Sequence, residues 1–313
     1  MNKNLTPRIL LLGVQGQVGW ELRRSLAPLG ELICTARRAE GEDKALDLAD
    51  GDAIRTLVRE VQPNLIVNAT AYVLVDQAEK EPELALAVNG TAPGILQEEA
   101  NRLGAAVVHY STDYVFDGSG STPWVETDPT GPLGVYGRTK LAGEQAMAAA
   151  GGSHVVLRTS WVYGVHGVNF VKKILKFAAE REKLRIVDDQ VGAPTSAKYL
   201  ANLTASMLAD AGGDFAGLLR ERGSVFHACC GGHVSWCGFT QQIVATARQL
   251  GMTLKVAEIE PIPSTEFPTP AQRPLNSRLN CSRLGREYRH TAPSWQAALD
   301  ETLPPLLKTE FGI

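Results

Sequence analysis

Tyr136-Gly-Arg-Thr-Lys140 is the stretch whose residue types and spacing are best suited to acid–base chemistry. A tyrosine and a lysine four residues apart at a helix start share one face. A free phenol titrates near about 10 and is a weak acid or base at neutral pH. An ammonium group beside it would stabilise the phenolate and draw that pKa down, and the same lysine can hold a ribose. The spacing alone also arises by chance in many helices. A second motif, Ser111-Thr112-Asp113-Tyr114-Val115-Phe116, precedes it at the end of a short apolar run. A hydroxyl there would lie beyond a sheet, where it can bond a substrate carbonyl. The alternative is a capping or turn hydroxyl. In this order along one chain the two motifs reinforce each other.

Gly13, Gly16 and Gly19 form G-x-x-G-x-x-G directly after the first apolar run. Placed between a strand and a helix, such glycines allow a tight turn and let a pyrophosphate approach the helix N-terminus. Glycines also simply make turns, so the strand–loop–helix context is what favours a dinucleotide. The next apolar run ends in Ala36-Arg37-Arg38, where a carboxylate would mark NAD. A guanidinium at that place can clamp a 2′-phosphate, which favours NADPH, with NADH as the alternative. Two solvated arginines on a loop are the other reading of this pair.

The elements that would position these residues follow from the alternation of apolar runs with helical patterns. Strands are expected at Ile9–Leu12, Glu31–Thr35, Leu65–Ala69, Ala106–Tyr110 and Val155–Thr159. Helices are expected at Val18–Leu29, with Trp20, Leu22 and Leu26 on a buried face, and at Ala53–Val61, Pro82–Leu103 and Thr139–Ala150. Repeated strand–helix units indicate an α/β, Rossmann-type doubly wound parallel sheet with its ligand beyond the carboxyl ends of the strands. This dinucleotide-binding domain is expected to cover 1–165. Residues 166–313 would form mainly a smaller substrate-binding lobe with interleaved segments. It would carry helices at Phe170–Glu180, Ala197–Leu208 and Phe239–Leu250 and a strand at Ser224–Ala228. Five prolines from Pro261 to Pro274 are expected to break any regular element there.

The 313 residues have a net charge of −3, which gives no electrostatic reason to expect nucleic acid or an anionic membrane as partner. Any phosphate must be held by local geometry. No apolar run is long enough to span a bilayer, and the start of the chain reads as a first strand and not as a signal peptide. Five cysteines without framework spacing fit a reducing, cytoplasmic setting. A homodimer is compatible with the sequence, which carries no direct signal for it.

The motifs together resemble the extended short-chain dehydrogenase/reductase family and, within it, the dTDP-4-dehydrorhamnose reductase family. The resemblance runs through Gly16–Leu22, Asn68–Tyr72, Val75–Glu79, His109–Phe116, Val135–Glu144 and Arg158–Tyr163. It continues through Asp189–Thr195, Pro268–Pro274 and Asn276–Leu279, nearly the whole chain. It implies Thr112, Tyr136 and Lys140 as the catalytic trio. It also implies a cofactor lined by Gly16, Gln17, Val18, Asp47, Leu48, Ala71, Tyr72 and Tyr110, and a substrate met by Thr112, Asp113, Trp161 and Arg273. Without the resemblance, Trp161 reads as a core aromatic and Arg273 as a surface cation. The implied reaction is hydride transfer from NADPH to the C4 carbonyl of a dTDP-linked 4-keto-6-deoxy sugar. Its product would be dTDP-L-rhamnose, a precursor of cell-surface polysaccharide. Two rivals stay open: a reductase of another nucleotide-linked keto sugar, and a non-catalytic NADP-binding regulatory subunit. The intact trio favours the enzyme.

No metal is expected. Some family members hold magnesium with an acid just after the Gly-Ala-Pro-Thr stretch, whereas this chain reads Thr195-Ser196-Ala197-Lys198, and a lysine repels a cation. His227, Cys229, Cys230, His233 and Cys237 crowd together but fit no tetrahedral spacing. Adjacent Cys229 and Cys230 in a buried strand would face opposite ways as small, inert thiols.

Overall fold

A computed structural model describes residues 6–39 and 41–313. Of the N-terminal stretch read as a first strand, residues 1–5 lie outside those described. Seven parallel strands form the main sheet: β1 (Arg8–Leu12), β2 (Glu31–Ala36), β3 (Lys44–Ala45), β4 (Leu65–Asn68), β5 (Ala106–Thr112), β6 (His154–Thr159) and β7 (Val225–His227). Their order is β7-β6-β5-β4-β1-β2-β3. The direction of winding reverses between β1 and β4, which opens a crevice beyond their carboxyl ends.

The two faces of this sheet are separate cores. Ile9 and Leu11 pack with Leu65 and Val67 in one cluster, while Leu10 and Leu12 pack with Ile66 in the other. That division follows from the period of two along a strand. It also explains why the central strands read as unbroken apolar runs. Helix α1 (Gln17–Leu26) contributes Leu22 and Leu26 to the first face, and α2 (Gly51–Val61) contributes Ile54, Leu57, Val58 and Val61 to the second. Helices α3 (Ala92–Leu103) and α4 (Val135–Ala150) complete the second face through Leu96, Ala100 and Met147. Helix α5 (Phe170–Glu180), α6 (Ala197–Leu208), α7 (Trp236–Gln249) and α8 (Trp295–Phe311) enclose the first.

Several expectations are corrected. Helix α1 stops at Leu26, and Ala27–Leu29 continues as a 3-10 turn because Pro28 cannot prolong the α pattern. Trp20 is not on the buried face; it is 44% exposed and stacks on His166 at 5.5 Å. The helical region from Pro82 is broken into Pro82–Leu86, a wide π turn at Ala87–Thr91, and α3. Prolines do not exclude a strand at Glu258–Ile262, which pairs in parallel with Lys183–Val187 and contains Pro261. Those two strands form a sheet of their own, so Pro261 sits at an edge, where a missing donor is tolerated. Helix α8 was not expected: Ser294 caps it and its buried residues recur at helical spacing from Trp295 to Leu307, with Pro304 and Pro305 inside it. Strand β7 comes from the second half of the chain yet joins the main sheet beside β6. Among the described residues no helix is long and apolar enough to cross a membrane.

Candidate active site

The crevice is a cleft of about 600 Å³ at the carboxyl ends of β1, β2, β4 and β5. Its floor is the loop after β1. Gly13 has φ +82°, and a Cβ there would lie 2.5 Å from Thr70 Oγ1, so only glycine fits. Gly19 does not line the cleft; a Cβ on it would lie 2.1 Å from the Gly13 carbonyl oxygen, so its role is to let α1 close against the loop. Gly16 precedes α1, whose first turn has no capping side chain and no acid. The helix N-terminus therefore keeps free N–H groups and a positive dipole end toward the cleft, the arrangement that receives a pyrophosphate. Gln17, Val18, Leu48, Ala71 and Tyr72 also line it. So do Arg37 and Asp47, whose Nε and Oδ2 are 3.7 Å apart. Arg38 is exposed and outside the cleft lining; its carbonyl accepts from Gln15. The glycine cradle and the Arg37 guanidinium fit a phosphorylated dinucleotide.

Tyr136 and Lys140 line the inner end of the same cleft. Helix α4 begins one residue before Tyr136, earlier than expected, because Glu79 Oε1 accepts the Val135 N–H at 2.7 Å and caps the helix in place of a local side chain. Thr112 ends β5, its Oγ1 accepting the Tyr114 N–H at 3.2 Å and donating to Asp113 Oδ1 at 3.1 Å. The Thr112 hydroxyl is also near enough to Tyr136 to lower its pKa, which brings the two motifs together in space. Asp113 is buried, its Oδ2 has no hydrogen-bond partner among the described residues, and burial pushes its carboxyl up to about 6.

Lys140 is 1% exposed. Its Nζ donates to the Tyr110 carbonyl at 2.6 Å and lies 3.2 Å from His109 Nε2. Asn68 fixes the imidazole: its Oδ1 accepts the Thr70 N–H at 3.1 Å, so its amide nitrogen must donate to His109 Nδ1, also at 3.1 Å. A neutral His109 then carries its proton on Nε2, facing Lys140. This arrangement favours the uncharged amine. Burial lowers the Lys140 pKa to about 8, with the Glu144 carboxylate opposing, and holds His109 well below its ordinary value. The expectation that Lys140 draws the Tyr136 pKa down is therefore not met in the polypeptide by itself. Burial pushes Tyr136 up to about 12, against the nearby Thr112 hydroxyl, and the lysine is engaged with His109. Tyr110 contributes through this carbonyl, since its own hydroxyl is bonded to Thr204 at 2.6 Å.

The residues tied to substrate lie outside that cleft lining. Trp161 follows β6 with a left-handed backbone (φ 50°), and its indole stacks on Trp236 at 3.5 Å. It also lies over Gly192, where a Cβ would come within 2.7 Å of the ring. Arg273 is not a free surface cation; its Nη2 donates to Asp76 Oδ2 at 2.8 Å, and its charge acts on Tyr114, which packs edge-on against Tyr136 at 5.5 Å. Lys198 is paired to Glu301 at 2.6 Å, and among the described residues no cluster of three acids, histidines or cysteines is arranged to hold a metal. Cys229 and Cys230 are not strand residues, because β7 ends at His227. Sequence reasoning missed the support of this site: Asn68, Glu79, His109, Glu144 and Trp236. Asn68, Glu79, His109 and Glu144 stand inside the recurring motifs, but nothing in their types marks them as partners across the fold.

Residues 7–307 match the family model described as the RmlD substrate binding domain. The dTDP-4-dehydrorhamnose reductase of Escherichia coli strain K12 is 44% identical over 303 residues, covering 96% of this chain and 98% of that protein. The one from Burkholderia thailandensis is 43% identical over 308 residues, covering 96% and 99%. Among solved structures, a Bacillus anthracis dTDP-4-dehydrorhamnose reductase in complex with NADP superposes with a TM-score of 0.85 at 30% identity, covering 96% of this chain and 99% of that one.

Proposed function

We infer that this chain, which belongs to the dTDP-4-dehydrorhamnose reductase family, is an NADPH-dependent oxidoreductase that reduces the C4 keto group of dTDP-4-dehydro-L-rhamnose to give dTDP-L-rhamnose. The observation that carries this reading is the single cleft in which the glycine loop and Arg37 lead to Tyr136 and Lys140. When bound, NADPH supplies the hydride. Gly13, Gly16 and the N-terminus of α1 would hold its pyrophosphate, and Arg37 its 2′-phosphate.

The chain's own residues supply the proton and the positioning. Reduction of a ketone leaves an alkoxide that needs one proton. Burial keeps Tyr136 protonated, at about 12, so at neutral pH it is loaded as an acid. Tyr136 gives that proton to the oxygen at C4, and the Thr112 hydroxyl polarises the carbonyl and then steadies the phenolate. Lys140, one helical turn on, would hold the nicotinamide ribose, and its ammonium form, which burial makes readily deprotonated, passes a proton back to the phenolate. Trp161 packs against the substrate, Arg273 meets its diphosphate, and Asp113, next to Thr112, bonds a sugar hydroxyl. We place the reaction in the reducing cytoplasm, in keeping with five unpaired cysteines.

Tyr136→Phe removes only the proton donor. Turnover is expected to fall by roughly 10²–10⁴ with NADPH affinity unchanged. Near-normal turnover in this variant would contradict the mechanism and favour a regulatory, non-catalytic NADP-binding role.

A further inference from the structure

A second cavity, of about 380 Å³, shares no residue with the dinucleotide cleft; Cys229, Cys230, Cys281, His233, Arg278 and His290 are among the residues lining it. Cys229 lies two residues beyond β7, and Cys281 immediately precedes the short helix Ser282–Glu287. The Cys229 N–H donates to Cys281 Sγ at 3.2 Å, and the Cys281 thiol lies 3.9 Å from the Cys229 carbonyl oxygen. The Ser160 hydroxyl approaches the Cys229 sulfur to 3.4 Å, and the Cys229 and Cys281 thiols are close enough to shift each other's titration in opposite directions. Two thiols far apart in the chain thus meet beside a cavity that a small solute can enter. We infer that Cys229 and Cys281 form a redox-active dithiol, which hydrogen peroxide converts into an intramolecular disulfide.

The order of events follows from the surroundings of each sulfur. Burial pushes the Cys229 thiol up, but the neighbouring Cys281, Ser160 and Thr195 side chains outweigh it and lower its pKa. Cys281 is pushed well above its ordinary value, first by the neighbouring Cys229 side chain and then by burial, and it keeps its proton. The neighbouring Cys230 is pushed up to about 12 by burial, so it does not compete as a thiolate. The Cys229 thiolate attacks one peroxide oxygen and the O–O bond breaks. Cys229 becomes a sulfenic acid, and the departing hydroxide takes the thiol's proton as water. Cys281 sulfur then attacks Cys229 sulfur, the S–O bond breaks, and the hydroxide leaves with the Cys281 proton as a second water. The two thiols lose two electrons and the peroxide gains them.

The test is to titrate the reduced full-length protein with hydrogen peroxide, digest it without reductant and map the peptides by mass. A Cys229–Cys281 linked pair, lighter by two hydrogens and reopened by dithiothreitol, is expected before any change at the half-buried Cys34. In Cys281→Ser, a sulfenic acid on Cys229 should be captured by dimedone, whereas Cys229→Ser should leave Cys281 unmodified. Oxidation of Cys34 ahead of the pair, a link through Cys230, or no link in the wild-type protein overturns the inference.

Discussion

Lys140 shows at single-residue scale how this site trades stability for chemistry. An ammonium group buried between His109 and the Tyr110 carbonyl is costly, and the pKa near 8 expresses that cost. In the unfolded chain the same group titrates near 10.5. Between these values the unfolded state binds more protons, so stability rises with pH across that window and is lost as pH falls through 8. Lys140→Met removes the penalty. At pH 7 it is expected to raise unfolding stability by about 1–3 kcal/mol while turnover collapses and NADPH binding weakens. Denaturant melts at several pH values check this: the advantage should shrink as pH climbs from about 8 toward 10.5. A variant less stable than wild type at pH 7 would show that the bonds to His109 and Tyr110 outweigh the cost of burial.

Elements hold such residues in place through contacts that cross the sheet. Glu144 lies one turn beyond Lys140 on α4 and grips Arg158 of β6 in a two-pronged pair, with bonds of 3.0 and 2.6 Å, both side chains nearly buried. Ser111 of β5 donates to the same carboxylate. This clamp sets the rotation of α4, and thereby the direction of Tyr136. Glu144→Ala strands a buried guanidinium and is expected to cost about 3–5 kcal/mol, measured by urea unfolding. Adding Arg158→Met should recover much of the loss; a double variant no better than the single one would refute the clamp. Such pairings were not legible in the sequence, because periodicity reports burial and not the partner across a fold. What was legible was local. The glycine loop, Arg37 and the Tyr136–Lys140 spacing depend on neighbours along the chain, and those elements were read within a few residues. The π turn at Ala87–Thr91 and the edge strand holding Pro261 departed from expectation where packing overrode a local rule, whereas at Pro28 the local rule prevailed and ended α1. Trp236 escaped notice because its partner Trp161 comes from a different segment of the chain.

For the molecule as a whole, a net charge of −3 means that no general field draws a polyanion in. A cofactor phosphate must be won locally, by the open end of α1 and by Arg37. Arg37→Ala should therefore weaken NADPH binding by about 1–3 kcal/mol and leave NADH nearly unchanged, as read by fluorescence titration. An equal loss for both cofactors would remove the arginine from 2′-phosphate recognition. The parallel sheet brings this end of the cleft and the Tyr136 end together from segments that are distant in sequence, and the second half of the chain supplies Trp161's partner and Arg273. The most direct measurement is NADPH oxidation by the purified protein with dTDP-4-dehydro-L-rhamnose, alongside UDP- and GDP-linked 4-keto sugars, with the product identified by NMR. Stoichiometric oxidation with the dTDP substrate, formation of dTDP-L-rhamnose and much slower turnover of the others are expected. NADPH binding without oxidation, or faster turnover of a different nucleotide sugar, would contradict the assignment.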